Sequence, residues 1–133
     1  MLQLSACSTS SNKYRTAALA EDLVASLLEK KSWKVLRRNF RKRACEIDIL
    51  ASKSKLLLAV EVKWRKNFKL EMADVEQLMP YKKRQALKKG MQHFVQLSSK
   101  RGHFFSTLRC DLIVLYLNTQ KQIDYFYSQN IEL

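Results

Sequence analysis

Apolar residues recur three and four positions apart between Lys13 and Lys31, at Ala17, Ala20, Val24, Leu27 and Leu28. That spacing predicts an amphipathic helix. Glu21 falls among Ala17, Val24 and Leu28 on the same stripe, where an acid is either a snorkelling edge residue or a functional group. The pattern then changes. "SWKVLRRNFR" reads as a strand, with Trp33, Val35, Leu36 and Phe40 as its apolar surface, and "EIDILASKSKLLLAVEVKWR" (46–65) as two strands joined by a short polar turn. "RKNFKLEMADVEQLM" is polar and predicts a loop with a short helical turn. Pro80 suits the first turn of a helix, whose apolar face is Leu87, Met91, Phe94 and Val95 and which runs to about Leu97. "RCDLIVLYL" and "IDYFY" give two further strands around a turn at Asn118 to Gln122. Helix, three strands, helix, two strands predicts an α/β fold, a mixed sheet with helices packed on it. The expected organisation is one domain over 13–133 behind a flexible segment, 1–12.

The central hairpin breaks its own pattern. Glu46, Asp48, Glu61 and Lys63 interrupt nearly continuous aliphatic runs. Charges in the body of an apolar hairpin cost free energy unless they are paired or bind a cation. A turn at Lys53-Ser54, or over Ser52 to Lys55, gives a register in which Glu46 faces Glu61 and Asp48 faces Ala59. All four charges then project from one face, with Asp48 and Glu61 as diagonal neighbours, roughly 7 Å apart. A three-residue turn would separate them. Carboxylates gathered this closely need a proton or a cation, and oxygen ligands of this kind suit Mg²⁺ or Mn²⁺. A divalent ion there could polarise a phosphate and activate water, with Lys63 placed to hold that water or the developing charge. The bland alternative is a Glu–Lys ion pair at a sheet edge. E-x-K alone is a weak signal, since it also occurs at Glu29-Lys30-Lys31; Asp in one strand and E-x-K in the next is the informative pattern.

Charge narrows the partner. The formal net charge is +13, which favours a polyanion: nucleic acid first, an anionic membrane surface second. The second helix carries Lys82, Lys83, Arg84, Lys88 and Lys89, read as a solvated face or a phosphate-contacting one. Cys7, Cys45 and Cys110 have neither disulfide-framework nor metal-type spacing. Cys45 and Cys110 flank apolar runs and read as small buried residues of a reducing compartment. "LSAC" at residues 4–7 imitates a lipoprotein cleavage box but lacks a basic start and an apolar region. No stretch approaches a membrane span, so the expected location is the cytoplasm.

At this point the motifs resemble a known group. Asp48 followed by Glu61-x-Lys63 looks like the PD-(D/E)xK nuclease superfamily, and more narrowly the chain resembles the small bacterial YraN family, distantly similar to archaeal Holliday junction resolvases. The match runs from about Tyr14 to the last strand, through Glu21, Asn39 and Arg41, the hairpin, Lys83, and an Arg-x-Asp strand at Arg109 and Asp111. The resemblance implies a restriction-endonuclease-like fold, with Asp48 and Glu61 as metal ligands, Lys63 as catalytic lysine and Glu21 reaching the site from the first helix. Glu46 and Arg109 would support the site, and Arg65, Lys82, Lys83 and Lys88 would contact nucleic acid. Ala20 and Cys45 stand where the family usually has glycine, and Ile47 precedes Asp48 where the superfamily name has proline.

Three functional classes follow. The leading one is a Mg²⁺- or Mn²⁺-dependent nuclease acting on DNA, branched or damaged DNA included. The second is a nucleic-acid-binding module that keeps the fold with little chemistry. The third is an interaction protein, which would need an exposed apolar patch. Intact Asp48, Glu61 and Lys63 favour the first. Nucleic acid, with DNA foremost, is the expected partner; a homodimer stays open.

Overall fold

The computed structural model describes residues 12–133, with side chains described from Thr16 onward. The segment expected to be flexible falls outside that range, apart from Asn12, as does Cys7. The first helix, α1, spans Asn12–Lys30. It ends where Ser32 takes a left-handed φ of 68° and Trp33 N donates to the Leu28 carbonyl, a Schellman-type stop with serine where glycine is usual. Strands β1 (Lys34–Lys42), β2 (Cys45–Lys53) and β3 (Leu56–Arg65) follow, then a 3-10 turn at Leu70–Met72 and the short helix α2 (Val75–Leu78). Helix α3 (Tyr81–Ser99) starts directly after Pro80, and β4 (Thr107–Leu117) and β5 (Ile123–Ser128) close the chain.

The five strands form one sheet in sequence order, parallel between β3 and β4 and antiparallel elsewhere. Parallel neighbours need a crossover, and α3 lies in it. Both sheet faces are covered. On one, Val24 and Leu28 of α1 pack in a core with Ile49, Leu58, Val60 and Ile113. On the other, Leu87, Met91 and Phe94 of α3 pack with Ile47, Leu50, Leu57 and Leu112. Leu57 through Val60 are all fully buried, which explains an unbroken apolar run in a strand clad on both faces. This is the mixed-sheet α/β architecture the sequence predicts. Cys45 and Cys110 are buried free thiols, as expected. Gly90 lets α3 approach β2, because a Cβ there would collide with Cys45 Sγ.

The hairpin register differs from the expected one. Lys53 pairs with Leu56 and Ile49 with Val60, so the loop is Ser54-Lys55 and Ala59 faces Leu50 rather than Asp48. Ser54 takes a φ of 54°, the sign a two-residue hairpin loop needs. The shift is two residues in the pairing sum, so the parity of the strands survives it.

Candidate active site

Asp48 sits where the sheet is interrupted on both sides. Toward β3 the ladder stops at Ile49–Val60. Toward β1, pairing passes from Arg38–Ile49 to Phe40–Ile47, with Asn39 left-handed at a φ of 52°. Ile47 belongs to the core under α3, whereas Ile49 belongs to the core under α1. Two residues apart in a regular strand would share a face, so β2 changes sides at Asp48, with its β1 register the same before and after. Asp48 Oδ2 takes the Val62 N–H at 2.8 Å.

Glu61 stands across this opening and is 7% exposed. Its Oε1 lies 3.6 Å from Lys63 Nζ and 3.6 Å from Lys83 Nζ. Its Oε2 is buried and has no hydrogen-bond partner. Burial, followed by the Asp48 charge, pushes the Glu61 carboxyl up to about 7, against the opposing pull of Lys83 and Lys63. The Asp48 carboxyl is also raised, by burial first, with the Val62 N–H bond and Lys83 working the other way. The two carboxyl groups interact directly, so a proton held on Glu61 is shared toward Asp48.

Glu21 approaches from α1. Its carboxyl is raised by burial and then by Asp48, and is held back by the Asn39 side chain and by Arg38, whose Nη2 lies 3.8 Å from Oε2. The single-face expectation holds for Glu61 and Lys63 but fails for Glu46. Its neighbours Cys45 and Ile47 both point into the core under α3, so Glu46 turns to the other side, where it pairs with Arg41 at 3.1 Å. The change of side at Asp48 is the reason. Among the described residues, no three acidic, histidine or cysteine side chains converge as a metal-holding group. The pair Asp48–Glu61 remains, and it fits a hard cation: Mg²⁺ sites commonly use one or two carboxylates and complete the shell with water and phosphate oxygens, and the orphaned Oε2 is a free donor.

Arg109 lies elsewhere. It forms a two-pronged pair with Asp111, at 2.9 and 2.7 Å, and its guanidinium sits 5.6 Å from the Trp33 ring centre. Its strand partner is Leu58, three residues and about 10 Å along β3 from Glu61. It supports the fold at a distance from the carboxylates, rather than the site itself.

Lys83 is the reverse case. The sequence puts it on the basic face of α3 with Lys82 and Lys88, but it contacts Glu61. The signal was available: Lys83 precedes Leu87 by one helical turn, on the stripe that buries Leu87, Gly90, Met91 and Phe94. Lys82 and Arg65 are exposed and Lys88 half-buried, and none has an ion-pair partner among the described residues. Two sizeable clefts, of about 790 and 600 Å³, flank α3, and neither is lined by Asp48, Glu61 or Lys63. The carboxylate pair lies where β2 and β3 part, past the end of their ladder. No helix among the described residues is long and apolar enough to cross a membrane.

Comparison with known proteins bears on the resemblance. The sequence model of Uncharacterised protein family UPF0102 matches residues 20–115. A UPF0102 protein of Flavobacterium johnsoniae is 34% identical over 100 residues, covering 75% of this chain and 80% of that one. One from Caldanaerobacter subterraneus subsp. tengcongensis is 32% identical over 112 residues, covering 83% and 86%. Among solved structures, Pyrococcus furiosus SfsA in complex with Ca²⁺ aligns at a TM-score of 0.39 and 14% identity, over 92% of this chain and 65% of that one.

Proposed function

This chain belongs to the UPF0102 (YraN) family, and from that premise we propose that it is a metal-dependent nuclease hydrolysing phosphodiester bonds in DNA, branched or damaged DNA included. One observation carries the reading: half-buried Asp48 and buried Glu61 meet where the β2–β3 ladder stops, mutually repelling, with one Glu61 oxygen unpartnered and two lysines on the other. A fold stabilised by burial alone would not retain such a pair. Asp48 and Glu61 would hold Mg²⁺ or Mn²⁺. When bound, the ion supplies polarisation of the phosphate and a more acidic water.

The chain's own groups do the rest. Val62 N–H fixes Asp48 Oδ2, so the carboxylate is oriented before any substrate arrives. Lys63 and Lys83 anchor Glu61 Oε1 from β3 and α3, and draw its carboxyl back down against its burial, which still leaves it raised to about 7. Lys63 takes the role of catalytic lysine, holding the attacking water or the charge that grows on phosphate. Glu21 adds a carboxyl from α1, tied down by Arg38 and Asn39. Arg65, Lys82 and Lys88 take phosphates on either side, and the cytoplasm is the matching location.

The test is incubation of the purified chain with branched and linear DNA and RNA in Mg²⁺, Mn²⁺ or EDTA. Cleavage with metal and none in EDTA is the expected result. Binding without cleavage in every metal would make this a nucleic-acid-binding protein on an endonuclease-like fold.

A further inference from the structure

The smaller cleft lies between β1, the β2–β3 turn and the segment after α3. Its floor is aromatic: Phe40 and Phe94 meet edge to face at 5.5 Å, and Phe94 stacks obliquely on Phe105 at 6.2 Å. Its rim carries Lys34, Arg37, Lys55 and Arg101, and no Asp or Glu lines it. None of these four cations has an ion-pair partner among the described residues. Phe104 stands on the same rim, 66% exposed. A lone exposed ring is ordinary on a protein surface; this one stands beside four cations, and its segment is held in place. His103 N bonds the Ser98 carbonyl before it, and Ser106 N bonds the Lys55 carbonyl after it.

We propose that this cleft binds single-stranded nucleic acid, with an unpaired base stacked on Phe104 and the backbone phosphates on the surrounding cations. Charge decides the occupant. An apolar protein segment would bury four unpaired cations at a cost, whereas a polyanion with flat apolar faces satisfies both the rim and the ring. Cation-lined grooves with aromatic platforms bind single strands because every base has a face to stack. The site is distinct from the carboxylates but continuous with them through β2: Phe40 pairs with Ile47, the residue before Asp48, while Lys55 at the far end is about 20 Å along β3 from Glu61. The proposal deepens the nuclease reading, on which it rests for its substrate class, by naming a substrate with an unpaired arm beside the cleavage point.

The experiment measures binding in EDTA, where no cleavage intervenes. Labelled single-stranded, duplex and tailed-duplex oligonucleotides are titrated with the wild-type chain, Phe104→Ala and Phe104→Trp. Phe104→Ala is expected to weaken single-strand and tailed-duplex binding about 5- to 150-fold, as loss of one stacked base does. Blunt-duplex binding should change less than about twofold. Phe104→Trp should bind like wild type and lose emission on single-strand binding beyond any change from Trp33 and Trp64 in the parent. Thermal melting verifies that Phe104→Ala, altered at an exposed position, is folded. Wild-type single-strand affinity in Phe104→Ala, or an equal loss on blunt duplex, overturns the proposal. So does a Phe104-dependent change in sedimentation of the nucleic-acid-free chain, which would make this face a contact between copies. Failure to cleave any substrate removes the nuclease reading and leaves this binding result standing; an insensitive Phe104→Ala removes the cleft and leaves the nuclease.

Discussion

Two buried carboxylates on this sheet have opposite surroundings. Asp111 is fully buried, yet every part of it is answered: Arg109 with two prongs, the Tyr127 hydroxyl, and the Asn130 N–H at 2.9 Å. That pairing ties β4 to β5 and to the chain beyond it. Burial, then the Asp111 carboxylate it bonds, pushes the Tyr127 hydroxyl up, a direction that keeps it protonated as the donor. Glu61 is nearly as buried and is left short, with a bare Oε2, two cations at 3.6 Å and a carboxylate neighbour. A buried charge whose partners are complete holds structure. One whose partners are incomplete holds capacity for a ligand.

The comparison can be broken most forcefully at Asp111. Asp111→Asn strands Arg109 and should cost about 3 kcal/mol or more, read as a fall in melting temperature of about 10 °C. Glu61→Gln, at a site of similar burial, should melt at or above wild type in EDTA. Equal losses in the two variants would erase the distinction between them.

Next in size is chemistry. Lys63→Met keeps the apolar stem and removes the ammonium, and should lower turnover at least about 100-fold while DNA affinity stays within a few-fold. Wild-type cleavage by this variant would show that the incomplete partners of Glu61 are not a catalytic arrangement. A metal titration sharpens the same point. At a hundredfold excess of Mn²⁺ over its dissociation constant, wild type should gain about 2.7 kcal/mol, and Asp48→Asn should lose most of that gain. An equal Mn²⁺ response in both proteins removes Asp48 as a ligand.

The smallest effect is in pH. Glu61 titrates at about 7 when folded and near 4.5 when unfolded. The native state therefore holds the extra proton between those values, and stability in EDTA should fall as pH rises from about 4.5 through about 7, by roughly 2 kcal/mol. Glu61→Gln should flatten most of that decline; the remainder belongs to Asp48 and Glu21, which are raised in the same direction. Urea denaturation at pH 5 and pH 8 measures it. A wild-type curve that rises across this window would contradict the assigned frustration.

Features set by a residue and its near neighbours are legible in the sequence; contacts between distant segments are not. Helix periodicity, strand alternation and Pro80 are local, and they predicted the element order and the mixed sheet, because backbone geometry imposes its repeat on whatever side chains face the core. The Asp48, Glu61-x-Lys63 pattern was likewise visible, since charges inside aliphatic runs stand out without any knowledge of neighbours. Register was less secure. It hung on which residue of "SKSK" could take a positive φ, and Ser54 did so, sliding the pairing by two.

What only the tertiary structure decided is which side chains from different elements meet. Lys83 reaches Glu61 because α3 crosses the sheet where Gly90 permits close approach to Cys45. Glu46 turns to the α1 side, away from Glu61, because β2 changes sides at Asp48, next to left-handed Asn39, and its charge still bears on Asp48 and Glu21. Arg109 belongs to Asp111 because β4 and β5 bring Tyr127 and Asn130 to the same carboxylate. By itself the sequence determined the elements and the ionisable groups they carry, since both are properties of a residue and its near neighbours. The pairing of those groups depends on packing distances between segments far apart in the chain, and a change of a few ångströms there turns a structural ion pair into an unsatisfied, reactive one.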